Sequence, residues 1–196
     1  MELVDSASFI AWAAAKGIGR SVRYPLSEQL TYLAEASTWY RYRPNTPPEL
    51  VTDFVQTAVR VAAAGEGVWI FPPRGGGRWL GDYNDIWEWL PPLRMLVRRS
   101  GVPDDYVGAL RLNAHELSLA GRLLAGALDA DALWSLAAVP EHARCVLTSD
   151  EDGDLLGSFP HAEACQSYTQ ALAAAGWHEP EEPDPRVSFT DPWLTL

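Results

Sequence analysis

Apolar residues recur every three or four positions along residues 47–64, which is the pattern of an amphipathic helix. One stripe contains Leu50, Phe54, Ala58 and Ala62, and the adjacent stripe contains Val51, Val55 and Val59. The segment "TPPE" at 46–49 is a capping-box arrangement with proline at the first helical position. Gly65 follows in the place of a left-handed C-cap. The pattern predicts a helix over 47–64 with Phe54 and Val55 buried.

Similar patterns predict the other helices and strands. Helices are expected over 6–16, from about Ser27, from Asp82 or Asn84 to Leu90, over 91–100, from Asn113 with Glu116 as its capping partner, from Asp129, and over 160–176. Strands, which are rich in aromatic and β-branched residues, are expected over 67–71, 78–83, 106–113, 144–149 and 155–159. The last two flank "DEDGD", which predicts a hairpin with Gly153 at its tip.

The order of these elements predicts the fold class. Helices come first, and strands and helices then mix without regular βαβ alternation. This order indicates a single α+β domain over 1–196, with several helices packed on a small antiparallel or mixed sheet and a C-terminal hairpin–helix unit. Residues 178–185 are acidic and proline-rich, which predicts an extended connector. Residues 186–196 regain hydrophobicity, and we expect them to dock as a last edge strand.

The distribution of charge is the strongest global feature of the sequence. The formal net charge is −11. Residues 1–100 contain 11 Lys and Arg against 10 Asp and Glu, whereas residues 101–196 contain 4 against 16. The acidity therefore comes from the second half of the chain. An acidic surface repels nucleic acid, attracts basic partners or keeps a protein in solution.

Composition indicates a bacterial cytoplasmic protein. No stretch reaches the roughly 18 apolar residues of a membrane helix, and the first residues lack the basic region of a signal peptide. Lys16 is the only lysine, and with the many Ala, Gly and Pro residues this is typical of a GC-rich bacterial genome. Cys145 and Cys165 are too few for a disulfide framework. Both are expected to be buried and reduced.

Residues 67–90 place three glycines between Arg74 and Arg78, among four tryptophans. Glycine N–H groups and two guanidiniums could bind a phosphate. The segment lacks the P-loop and dinucleotide-binding signatures, so a hairpin turn followed by a packed helix is the favoured interpretation. Trp87 and Trp89 would point in different directions on that helix, which leaves one of them exposed for a partner.

Other kinds of site are not favoured by the residue pattern. Arginines among aromatic residues at 20–24 and 39–43 are typical of single-stranded nucleic-acid binding, but the net charge opposes it. Residues from Asp150 onward fail the calcium-loop pattern, because Leu155 and His161 stand where glycine and glutamate are required. The four histidines show no metal-ligand spacing. We expect no cofactor, no metal ion and no catalytic residues.

These observations together predict a protein that binds another protein. Immunity proteins and inhibitors of bacterial toxins are often small, acidic and intracellular in the same way. Trp87 and Trp89 are expected to add apolar contact to the binding face. The expected contact with a basic partner is the hairpin tip, where four carboxylates lie in five residues: Asp150, Glu151, Asp152 and Asp154.

An alternative function uses the glycine-rich stretch instead. The protein would then be a small-ligand-binding protein or an enzyme, with Arg74, Arg78 and Trp79 lining its site. A deep pocket that holds arginine, histidine and carboxylate side chains would favour this alternative. An acidic, aromatic patch without a cleft would favour protein binding.

Overall fold

In the part of the chain that the structure describes, seven antiparallel strands form the central sheet, with helices on one face and a helix and two further strands on the other. The computed structural model describes residues 1–24, 27–42, 50–73, 76–79, 91–128, 135–149 and 154–178. Within those ranges the strands are β1 (Glu2–Asp5), β2 (Ile18–Tyr24), β3 (Ser27–Tyr32), β4 (Thr38–Tyr42), β5 (Val68–Phe71), β6 (Gly108–Leu112), β7 (Ala137–Pro140), β8 (Val146–Ser149) and β9 (Leu155–Phe159). The helices are α1 (Ser6–Ala15), α2 (Val51–Ala63), α3 (Pro91–Arg99), α4 (Leu117–Leu128) and α5 (Ala162–Ala174). This is the predicted α+β class, with a larger sheet than the sequence indicated.

The strand order in the central sheet is β1-β6-β5-β7-β8-β9-β4, and each neighbouring pair is antiparallel. Strands β2 and β3 form a separate antiparallel pair. We call one end of the central sheet the distal end. It is defined by the aligned strand termini Asp5, Gly108, Phe71, Ala137, Ser149, Leu155 and Tyr42. At the opposite, proximal end, the connections are 33–37, 64–67, 113–116, 141–145 and 160–161.

Helices α2, α4 and α5 enclose the larger core against one face of the central sheet. Phe54 and Val55 of α2 are buried, as predicted. The predicted capping box at Asn113 and Glu116 is present at the start of the next helical segment. The Asn113 side chain accepts the N–H of His115, and the Glu116 carboxylate accepts the N–H of Asn113. Gly121 allows α4 to pack closely on α2: a Cβ at this position would lie 2.7 Å from the Cα of Gln56.

Helix α1 and the β2–β3 pair cover the other face around a smaller, aromatic core. Phe9 stacks on Phe71 with ring centroids 4.6 Å apart. The rings of Trp12 and Trp69 also pack together, with their centroids 5.1 Å apart. Three residues of the β2–β3 pair are also buried here: Ile18, Leu30 and Tyr32. The molecule therefore has three layers, and the inner strands β5, β7, β8 and β9 of the central sheet are buried on both faces.

Two predicted elements are wrong. Residues 27–32 form strand β3 and not a helix, because they pair with β2 and bury Leu30 and Tyr32 at a spacing of two. Leu33, which shares a helical stripe with Leu30 in the sequence, is 65% exposed. The return strand expected over 78–83 is also absent from its described part, where Arg78 makes an isolated bridge to Val107. The neighbours of β5 are β6 and β7, which come from distant parts of the chain.

Helix α2 differs in detail from its prediction, and some predictions fall outside the described residues. Leu50 is 44% exposed, so the buried stripe begins at Phe54. The left-handed C-cap is Ala64, and Gly65 follows it, also with positive φ. The predictions outside the described residues are the cap at 46–49, the helix over 82–90, the helix from Asp129, the hairpin tip at 150–153, and the connector and strand beyond 178.

Candidate binding surface

The segments that carry most of the predicted functional residues connect to the distal end of the sheet. They are residues 43–49 after Tyr42, 74–75 after β5, 80–90 after Trp79, 129–134 before β7, and 150–153 between β8 and β9. The described residues that flank them lie close together. The N–H of Leu136 donates to the Ser149 hydroxyl (3.0 Å), and the N–H of Ser149 donates to the Leu136 carbonyl (3.1 Å). Trp177, at the end of the last described range, lies 5.4 Å from the ring of Tyr42.

The net charge of the protein lies in these five segments and in residues 179–196. The described ranges contain 12 Lys and Arg and 12 Asp and Glu, so they are formally neutral. The five segments at the distal end contain nine acidic residues and two arginines, and residues 179–196 contain five acidic residues and one arginine. The whole charge of −11 is therefore carried by chain that attaches at or near one end of the sheet.

Asp154 is buried, although the sequence suggested an exposed hairpin tip. It is 6% exposed, and its carboxylate lies 3.5 Å from the guanidinium of Arg41 on the edge strand β4. The physical reason is its position: it immediately precedes β9, whose five residues are all buried. The other three acidic residues of the predicted tip, at 150–152, lie outside the described residues.

The described part of the glycine-rich stretch is packed against the fold. Gly77 has a φ of +103°, and a Cβ there would lie 2.4 Å from the Ser6 hydroxyl and 2.8 Å from the ring of Phe71. The Ser6 hydroxyl donates to the carbonyl of Gly76 (2.8 Å). Glycine is therefore required here for close packing at the start of α1.

The residues proposed for a small ligand are not brought together in one described pocket. Trp79 is fully buried, and its Nε1 donates to the carbonyl of Gly108 (2.8 Å). Arg78 beside it is exposed. Arg74, Trp87 and Trp89 lie outside the described residues, in segments that attach at the distal end.

A shallow depression of about 400 Å³ lies at the proximal end, lined by Ala36, His161, Ala162 and Glu163. The Nδ1 atom of His161 accepts the N–H of Ala164 (3.2 Å), so this ring caps α5. The depression has a histidine and a carboxylate but no arginine in its lining. It does not match the site that the ligand-binding alternative requires.

A polar contact between β3 and strands β8 and β9 is not indicated by the residue pattern. We call Gln29, Thr31, Thr148 and Ser158 the polar seam; all four side chains are buried. The hydroxyls of Thr31 and Ser158 are 3.0 Å apart, and the N–H of Tyr32 donates to Ser158 Oγ (3.2 Å). Gln29 Oε1 and Thr148 Oγ1 have no hydrogen-bond partner among the described residues. Isolated polar residues in short strands leave no periodic signal, so the sequence could not reveal this contact.

Both cysteines are buried free thiols, as predicted. Burial raises the pKa of the Cys145 thiol to about 12, and burial also raises the pKa of Cys165. Neither thiol therefore forms a reactive thiolate near neutral pH.

Among the described residues, no group of three or more His, Cys, Asp or Glu side chains could hold a metal ion. In the same ranges, none of the helices has the length and apolar character needed to cross a membrane.

Comparison of the chain with protein-family models, with curated proteins and with solved structures gives no match.

Proposed function

We propose that this protein has no catalytic role and acts by binding a basic partner protein at the distal end of its central sheet. The observation that supports the proposal is the separation of charge. The described body is formally neutral, and all of the excess negative charge belongs to segments that attach at or near that end. A concentrated charge of one sign attracts a partner of the opposite sign and accelerates its association.

In this proposal β8, β9 and α5 act as a hairpin–helix unit that presents Asp150, Glu151 and Asp152. The flanking residues are firmly held: β8 and β9 pair from Val146 to Ser158, and Asp154 contacts Arg41. Trp87 and Trp89 belong to a second segment attached at the same end, and they would supply the apolar contact that charge alone does not provide.

Immunity proteins and toxin inhibitors are the class that this proposal favours. Such proteins act by covering a partner's surface, which requires no metal or nucleophile. The proposal places the protein in the bacterial cytoplasm, where the free thiols of Cys145 and Cys165 remain reduced. The ligand-binding alternative is weaker because Trp79, one of its three residues, is fully buried and bonded to Gly108.

The proposal predicts that neutralising the hairpin tip weakens binding of a basic probe. The variant combines Asp150→Asn, Glu151→Gln and Asp152→Asn, and the probe is a fluorescent peptide of ten lysines. At low ionic strength, the Kd of this peptide should rise about tenfold, because three nearby charges each contribute a fraction of 1 kcal/mol in a high-dielectric environment. Fluorescence anisotropy at increasing salt gives the Kd and its salt dependence.

The matched control removes the same charge from the proximal end. It combines Glu35→Gln, Glu66→Gln and Glu163→Gln, all of which replace exposed carboxylates. Both variants raise the net charge by three, but the control should change the Kd by less than about twofold. The reason is that salt largely screens the attraction between the peptide and charges more than about 10 Å from where it binds. Equal effects of the two triple variants would mean that only total charge matters, and the proposed location would be wrong.

A further inference from the structure

We propose that the β2–β3 pair is a cover that opens from the central sheet along the polar seam while the rest of the fold remains intact. This inference is independent of the proposed function. It rests on three features of the described residues: the chemistry of the contact, the positions of the two connections, and the hydrogen bonds that cross the seam.

The chemistry of the seam makes it a weak boundary. Four of the six buried polar or charged side chains in the described ranges form the polar seam, and the other two, Ser149 and Asp154, have partners elsewhere in Leu136 and Arg41. Gln29 Oε1 and Thr148 Oγ1 are buried without a hydrogen-bond partner among the described residues. When the cover closes, a buried polar atom without a partner loses its hydrogen bonds to water and forms none with the protein. Separating the seam restores that hydration, which lowers the free energy of opening.

Both connections of the cover lie at the proximal end, so they can act as one hinge. The first is Gly17, which has a φ of +74° and would have no atom within 4 Å of a Cβ. The second is the stretch 33–36, all of whose residues are exposed. Ile18 and Tyr32 are adjacent to these connections, so a rotation about them displaces these two apolar side chains least. Among the β3 residues whose side chains are described, the buried contacts farther along the strand are Gln29, Leu30 and Thr31, two of which are polar.

In the described residues, the hydrogen bonds that join β3 to the central sheet involve side chains. The N–H of Tyr32 donates to Ser158 Oγ, and the hydroxyl of Thr31 forms a hydrogen bond with the same oxygen. The Tyr32 hydroxyl donates to the carbonyl of Ala143. No strand ladder joins β3 to the central sheet in the described residues. The β2–β3 ladder can therefore stay paired while the cover moves, and local opening of this kind costs less than global unfolding.

Thiol labelling tests the proposal with an internal control. Thr148→Cys places a thiol under the cover at a position that is 1% exposed, and native Cys145 is 2% exposed on the other face of the sheet. If the cover opens, a thiol reagent should modify position 148 at least about 100-fold faster than Cys145, since only the former becomes accessible without unfolding. Mass spectrometry of peptides identifies the labelled position.

Amide exchange gives a second reading without introducing a cysteine. The Tyr32 N–H, which is protected by Ser158 across the seam, should exchange at least about 100-fold faster than the N–H of Leu110 in the middle of the central sheet. The variant Thr148→Val, which replaces the unpartnered hydroxyl by a methyl group, should slow Tyr32 exchange several-fold and leave Leu110 unchanged.

A disulfide provides the closing control. The Thr31 and Ser158 side-chain oxygens are 3.0 Å apart, so we expect the thiols of a Thr31→Cys and Ser158→Cys pair to form a disulfide on oxidation. When oxidised, this pair should reduce labelling at position 148 to the rate of Cys145. The proposal is wrong if Thr148→Cys labels no faster than Cys145, or if Tyr32 and Leu110 exchange at the same rate in the unmodified protein.

Discussion

Replacing Trp79 with alanine should lower the free energy of unfolding by about 3–5 kcal/mol, the usual range for removing a large buried aromatic side chain. Trp79 is fully buried in the larger core, and its indole N–H satisfies the carbonyl of Gly108. Urea denaturation followed by circular dichroism measures the change. Trp79→Phe retains most of the volume and should cost less, about 1–2 kcal/mol, because it loses the hydrogen bond and part of the ring.

The control for this prediction is Met95→Ala, which truncates a side chain that is 50% exposed on α3 and should change stability by less than about 0.5 kcal/mol. The result also separates the two interpretations of the glycine-rich stretch. A residue that lines a ligand site can be truncated with little loss of stability. A change below about 1 kcal/mol for Trp79→Ala would therefore contradict the packed arrangement and restore the ligand-binding alternative.

Phe54→Ala should also destabilise the protein by about 3–5 kcal/mol. Phe54 is 7% exposed and lies on the face of α2 that contacts the larger core. Thr52→Ala on the exposed side of the same helix is the matched control, and it should change stability by no more than about 0.5 kcal/mol. Similar values for the two variants would show that the buried face of α2 has been assigned incorrectly.

The helices of the larger core could be predicted from the sequence because their apolar spacing and their caps agree. Helix α2 shows two adjacent stripes at a spacing of four, and the capping box of Asn113 and Glu116 precedes α4. Each of these patterns depends only on residues a few positions apart, so it can be identified without knowing the tertiary contacts. The free, buried state of the two cysteines was predictable for a similar reason, since both stand in apolar surroundings.

The sheet could not be predicted in the same way, because strand order depends on contacts between distant residues. The pairing of β5 with β6 and β7 joins residues near 70 to residues near 110 and 138. The sequence instead suggested a local return strand over 78–83. Strand β3 was mistaken for a helix because Leu30 and Leu33 share a helical spacing, although pairing with β2 fixes it as a strand.

Only part of the candidate binding surface could be predicted from the sequence. The clustering of acidic residues at 150–154 is visible in the chain, but the burial of Asp154 against Arg41 depends on β4, more than a hundred residues earlier. The described residues that flank five separate segments lie at the distal end, and this follows from the strand order and could not be inferred locally. The polar seam has the same origin, since Thr31 and Ser158 come from different layers.

The most direct test of the account is to map where a basic probe binds. Amide chemical shifts of ¹⁵N-labelled protein would be followed during titration with the ten-lysine peptide at low and high salt. We expect the largest shifts at distal residues such as Phe71, Gly108 and Leu155, with little change at the proximal residues Gly67, Leu112 and Phe159. High salt should abolish these shifts, because it screens the interaction. Shifts of equal size at both ends, or at the proximal end alone, would contradict the proposed binding surface.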